Sequence, residues 1–158
     1  MSAVLKPRAC ALARESIDQV MDEIRPLLRL HFMEISFYPD IPLDPDFGRY
    51  RRAESAGQLR IYTARSGHEL VGYAIFAIDW APHYKGSLQA IQDIMYVSPP
   101  HRGGRIGMKL IRHCERELQA EGVQVIRHHV KADHPELGTL LVHSGYRLED
   151  LLYSKRLD

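Results

Sequence analysis

Two cysteines in 158 residues, Cys10 and Cys114, are too few for a disulfide framework, and neither lies in the CxxC or CxxH pairing of a cysteine-type zinc site. Charge of one sign is also lacking: 21 Lys and Arg against 20 Asp and Glu leave a formal +1. A balanced chain has no general pull toward nucleic acid or an anionic membrane, so neither is expected as a partner. Any anion site has to be local. No apolar run approaches the roughly 20 residues needed to span a bilayer. Arg8 and Arg14 interrupt the start before an apolar stretch of signal-peptide length can form, which makes the cytoplasm the default location. Repeats, low-complexity segments and Gly-, Ser- or Pro-rich linkers are absent as well, so residues 1–158 read as one domain.

What is present is periodic. Ser16 can cap a helix with Ile17, Val20, Met21 and Ile24 at helical spacing, and Pro26 inside that pattern is expected to kink or split it. A loop at 37–42 leads to a shorter helix from Pro45 to Ala56, stopped by Gly57. Strands are expected at Leu59–Ala64, Leu70–Trp80 and Leu88–Val97, followed by an amphipathic helix over Arg105–Ala120 with Gly122 as its stop. Val123–Val130 reads as a strand and Pro135–His143 as a short helix ended by Gly145. Tyr146–Arg156 reads as one or more closing strands. This order predicts an α/β chain. Its mixed sheet is antiparallel first and parallel across the 88–130 unit, with helices on both faces.

The most informative segment runs from Asp93 to Ile111, where a strand ends, a Gly-rich turn comes next and an amphipathic helix begins. The first turn of such a helix offers unpaired N–H groups and the positive end of its dipole to an anion. Gly103, Gly104 and Gly107 allow a bulky phosphate to approach the backbone, and Arg102 and Arg105 can add charge-assisted hydrogen bonds. The spacing fits neither GxxxxGK[ST] nor GxGxxG, which sets aside the P-loop and dinucleotide fingerprints.

The segment resembles the acetyl-CoA pyrophosphate loop of the GNAT superfamily, (Gln/Arg)-x-x-Gly-x-(Gly/Ala). Arg102 stands at the first position and Gly107 at the last. Arg105 replaces the usual first motif glycine. The helix, the strand at 123–130, the short helix and Gly145-Tyr146 mirror the second half of that family, and Leu152–Leu157 resembles its C-terminal strand. The resemblance implies a GNAT-like central sheet of about six or seven strands and acetyl transfer from acetyl-CoA to a primary amine of a small molecule or protein. It also implies that Met95, Tyr96 and Val97 pair with the pantetheine arm and that residues 102–108 (Arg102, Gly103, Gly104, Arg105, Ile106, Gly107 and Met108) hold the pyrophosphate.

By the same resemblance Asp93 is the candidate base; by strand alternation it is expected to share a face with Met95 and Val97. The bland alternative is a cap or an ion-pair partner. Counting back from Gly145-Tyr146, the tyrosine that many relatives use as thiolate acid is replaced by Leu141, and the usual asparagine corresponds to His134, a further cofactor-binding candidate. Tyr96, His134, His143 or water are the remaining sources of that proton. Phe37, Tyr38, Trp80, His83 and Tyr84 fall in loops that wall the acceptor pocket in such folds, and Tyr38 and Tyr84 are the substrate-binding candidates. His128 and His129 are adjacent on a strand and point to opposite faces, so no metal is expected. The missing tyrosine keeps a second reading open, a GNAT-fold module that binds acyl-CoA as sensor or interaction subunit without turnover. A structural or phosphate-binding domain unrelated to CoA is a third. Relatives are often dimers, which makes a homodimer an expectation of the resemblance alone.

Overall fold

The computed structural model describes residues 9–158. The single-domain expectation extends over residues 1–8 as well, which lie outside the described residues. The described residues open on a short strand that the sequence did not announce, β1 (Cys10–Arg14), followed by two helices, α1 (Ile17–Ile35) and α2 (Phe47–Ser55). A meander comes next: β2 (Leu59–Ser66), β3 (Glu69–Trp80) and β4 (Leu88–Val97). After a 3-10 turn at Pro99–His101 come α3 (Ile106–Ala120), β5 (Val125–Arg127) and α4 (Glu136–His143).

Ser16 and Gln19 form a reciprocal capping box at the start of α1. The helix buries Ile17, Val20, Ile24 and Leu28 in one stripe and runs unbroken through Pro26, without the expected split. Pro26 lies on the exposed side, as does Asp22 four residues earlier. The carbonyl that loses its partner therefore faces water, and the packed stripe opposite holds the helix together.

The strands form one sheet in the order β1-β2-β3-β4-β5, antiparallel through β4 and parallel between β4 and β5. α1 and α2 cover one face against Ile61, Tyr73, Ile75 and Tyr96. α3 covers the other with Leu110, Ile111, Cys114 and Leu118 against Tyr62, Phe76, Ala90 and Met95. Among the described residues five strands thus stand where six or seven were expected, and the segment from Tyr146 onward forms none. Its apolar residues, Leu148, Leu151, Leu152 and Tyr153, are exposed, and it is held by side chains rather than by a backbone ladder. Arg127 Nε donates to Glu149 at 2.8 Å, the Tyr38 and Ser154 hydroxyls meet at 3.0 Å, and Arg156 pairs with Asp40.

Two irregularities of β4 open the sheet around its centre. Against β3, Ile94 pairs with Ile75 and Gln92 with Phe76, so Asp93 is an extra, unpaired residue: a β-bulge. Against β5, pairing stops at Ile91↔Arg127, and the two chains then diverge. The buried Gln92 side chain closes the apex of this wedge, its Oε1 2.6 Å from His128 Nδ1 and its Nε2 donating to the His129 carbonyl at 3.4 Å.

Candidate active site

Beyond the apex, Met95, Tyr96 and Val97 form the open edge of β4, with no strand paired to it on the β5 side among the described residues. The loop after it folds back tightly: His101 N–H donates to the Ser98 carbonyl at 2.9 Å and Arg102 N–H to the Pro99 carbonyl at 3.1 Å. Gly103 then takes φ +76°, a conformation that side chains resist, and a Cβ built on Gly104 would meet nothing within 4 Å. α3 starts at Arg105 without a side-chain cap, and the first bond of its ladder is Lys109 N–H to the Arg105 carbonyl at 2.9 Å. The N–H groups of Ile106, Gly107 and Met108 thus precede the ladder at the positive end of a 15-residue helix, beside an open glycine surface. The Arg105 guanidinium is exposed and has no ion-pair partner among the described residues.

Arg102 is differently placed. Its guanidinium forks onto the Glu34 carboxylate at 2.6 and 2.8 Å, donates from Nε to the Val97 carbonyl at 2.7 Å, and lies 5.4 Å from the centre of the Tyr96 ring. These bonds hold Glu34 below the usual carboxylate range. His31, one turn earlier on α1, packs its ring 5.1 Å from Tyr96, and burial pushes its pKa down. His134, in a turn closed by its N–H to the Lys131 carbonyl, approaches closely enough to act electrostatically on both His31 and Glu34.

On the α1–α2 face, the Tyr50 hydroxyl donates to Asp93 Oδ2 at 2.5 Å. Burial first, and then the Asp93 carboxylate, raise the Tyr50 phenol above its ordinary 10, so it remains a protonated donor at neutral pH. The second oxygen of Asp93 has no partner among the described residues. Tyr50 and Ile94 also line a pocket of about 340 Å³ between the C-terminal half of α1, the 36–46 loop and the bulge.

A profile of the acetyltransferase (GNAT) family matches residues 21–140, three quarters of the sequence. The chain belongs to this family. No curated protein sequence matches it closely. The GNAT fold recurs in a ribosomal-protein-alanine N-acetyltransferase from Brucella melitensis biovar Abortus 2308, with 22% identity and TM-score 0.71 over 95% of this chain and 100% of that one. An aminoglycoside acetyltransferase from an uncultured soil metagenomic sample, solved in complex with sisomicin, superposes at TM-score 0.73 with 14% identity over 94% and 97% of the two chains. A predicted acetyltransferase from Clostridium acetobutylicum, solved with acetyl-CoA, gives 0.70 with 13% identity over 94% and 96%.

Against this GNAT frame, Asp93, Met95, Tyr96 and Val97 lie in the last five residues of β4, and the 102–108 segment leads from it into α3. The structure alters several details expected from the sequence. Asp93 does not share a face with Met95 and Val97: the bulge breaks the alternation, so Asp93 points to Tyr50 on the α2 side while Met95 packs toward α3. Gly107 faces α4, where an added Cβ would lie 3.4 Å from Leu140 Cδ2, and the Met108 sulfur accepts from the Ser144 hydroxyl at 3.1 Å. Both residues can therefore address an anion only through their N–H groups. Tyr38 lines the pocket, whereas Tyr84 stands exposed in the β3–β4 hairpin turn, beyond the Leu88 end of β4. At 3.3 Å per residue that end lies about 16 Å from Asp93.

Leu141 is buried in the core, so its position supplies no acid. The Tyr96 hydroxyl is buried without a partner, and the His143 ring engages the Thr139 carbonyl. His128 is wedged edge-on between Phe76 and Tyr146, a core-satisfied histidine. Among the described residues no three His, Cys, Asp or Glu side chains converge as a metal group, and no helix is long and apolar enough to cross a membrane. Tyr50 is a site residue that sequence reasoning missed. Its only signal is an i, i+3 relation to Phe47 on an otherwise arginine-rich helix.

Proposed function

We propose that the chain acts over its whole length as one cytoplasmic N-acetyltransferase domain, taking acetyl from acetyl-CoA to a primary amine with Asp93 as the base. The observation that carries this reading is the position of Asp93. It is an exposed extra residue in β4, close to where the strand parts from β5, with one carboxylate oxygen tied to Tyr50, which lines the adjoining pocket, and the other without a partner among the described residues. A carboxylate there can orient an incoming ammonium and accept its proton directly or through one water.

The donor fits the rest of the wedge. The uncapped N–H groups of residues 106–108, the open Gly103-Gly104 surface and the free Arg105 guanidinium suit a pyrophosphate. The unpaired edge of Met95, Tyr96 and Val97 suits the amides of a pantetheine arm, with His134 as a further cofactor-binding candidate. Bound there, acetyl-CoA would supply the activated acyl carbon. Arg102 reaches a phosphate only by exchanging Glu34 for it.

A second reading, an acyl-CoA-binding module without turnover, is favoured by the burial of Leu141, which leaves no side-chain acid at that position. Calorimetry with acetyl-CoA and a thiol-release assay across a broad amine panel separate the two. Transfer predicts release that falls about 100-fold in Asp93→Asn with acetyl-CoA affinity retained. Binding without release from any amine supports the module, and absence of binding removes both.

A further inference from the structure

The pocket next to Asp93 carries information about what enters it. Its walls are Leu28 and Phe32 of α1, Ile41 and Leu43 of the connecting loop, and Tyr50 and Ile94 at the floor. Near 340 Å³, it lies at the low end of the range for small-molecule sites, which run about 300–1,000 Å³. The same loop contributes Asp44 at the exposed rim, so the cavity has one carboxylate in its lining, while a second, the exposed Asp93, adjoins it through its bond to the Tyr50 hydroxyl.

The polar inventory is as informative. A polycation needs several free anions or acceptors distributed along it, yet of the three carboxylates on this loop Asp40 pairs with Arg156 and Asp46 caps α2 and faces Arg52, which leaves Asp44 as the one without a partner among the described residues. Arg49 adds a positive charge beside Tyr50. A peptide acceptor needs backbone partners for the residues that trail behind its terminal amine. The loop that would supply them carries Pro42 and Pro45, which have no N–H, and the Ile41 and Phe47 N–H groups are already bonded within the loop to the Tyr38 and Pro45 carbonyls. One cationic head with an uncharged, mainly apolar body suits these walls, whose remaining polar side chains are the hydroxyls of Ser36 and of Tyr38, the latter already engaged by Ser154.

We propose that the acceptor is a small apolar monoamine of the arylalkyl or alkyl class, its ammonium directed at Asp93 and its body between α1 and the 36–46 loop. This inference rests on the transferase reading above and narrows it. Binding an apolar body removes Leu28, Phe32, Ile41 and Leu43 surface from water, while the single charge is drawn in past Asp44 and met by the free oxygen of Asp93.

The test uses the full-length protein with acetyl-CoA and four acceptors: 2-phenylethylamine, hexylamine, spermidine and kanamycin, together with a peptide bearing an N-terminal alanine. The expected result is a kcat/KM for the two monoamines at least tenfold above that for the polycations and the peptide. In Ile41→Glu, the monoamine KM should rise at least fivefold with acetyl-CoA affinity unchanged. Preference for spermidine, kanamycin or the peptide overturns the monoamine assignment and leaves the transferase reading standing. Calorimetric titration of 2-phenylethylamine into the protein decides the remaining case. Binding that Ile41→Glu weakens, with no thiol release from any acceptor, keeps the pocket assignment and removes the transferase; no binding and no release removes both.

Discussion

Arg102 and Glu34 face each other as a fork on a fork, two N–H···O bonds of 2.6 and 2.8 Å joining the loop before α3 to the last turns of α1. Both side chains are partly exposed, at 40% and 32%, so the pair contributes little to stability. Its importance lies in competition: Glu34 holds the guanidinium that the neighbouring anion site could use. Removing the competitor in Glu34→Gln is expected to tighten acetyl-CoA binding by about two- to fivefold, and Arg102→Ala to weaken it. In the double variant the Glu34 effect disappears, which a calorimetric double-mutant cycle reads directly. Equal effects of Glu34→Gln in the presence and absence of Arg102 would show that the two do not compete.

Tyr50→Phe keeps the ring in the pocket wall and removes only the hydroxyl that meets Asp93. A hydrogen bond to a charged group contributes about 1.5–3 kcal/mol. If about half of that is used in holding the carboxylate in place, kcat falls about three- to tenfold, with the amine KM and the acetyl-CoA affinity nearly unchanged. A fall confined to KM would make Tyr50 a wall residue and nothing more.

The glycine surface can be tested without disturbing the fold. Gly104 has open space around it, so Gly104→Glu should fold normally and place a negative charge where the pyrophosphate is proposed to lie. Acetyl-CoA affinity is expected to drop at least tenfold while the unfolding midpoint stays put. Gly103→Ala acts differently: at φ +76° the added Cβ costs about 1–2 kcal/mol of stability, visible in urea titration.

His128 predicts how the fold responds to acid. Burial, and then the charge of His129, hold it down at about 4 from the ordinary 6.5. Between those values the unfolded chain binds a proton that the folded one refuses, so stability is complete above about 6.5 and declines as pH falls toward 4. The loss is on the order of 3 kcal/mol. His31, also held low by burial, adds in the same direction. Urea unfolding at a series of pH values should show this slope, and His128→Asn should flatten it.

Much of this molecule was legible in its sequence because local chemistry and tertiary context agree there. Ser16 caps α1, β4 runs from Leu88 to Val97 as read, and the glycine turn with the uncapped start of α3 is made by residues within one short stretch. What escaped depends on partners distant in sequence. β1 is a strand because Cys10–Arg14 find the edge of β2 some 50 residues on. The 146–158 segment has strand-like composition, yet its side chains find Tyr38 and Asp40 while its backbone finds no ladder. The bulge could not be read from β4 alone, since an extra residue is defined only by the β3 residues it fails to pair with, and the role of Tyr50 depends on the bulge.

That failure to pair has a genetic corollary. With Asp93 taken out, Gln92↔Phe76 and Ile94↔Ile75 become consecutive rungs, and every later side chain on β4 keeps the face it already has. The sheet can spare this residue. A single-codon deletion is therefore expected to yield a chain that folds at least as readily as the parent, binds acetyl-CoA and transfers nothing. Catalyst and silent binder would be neighbours in sequence space, one in-frame triplet apart, with no rebuilding of the core between them.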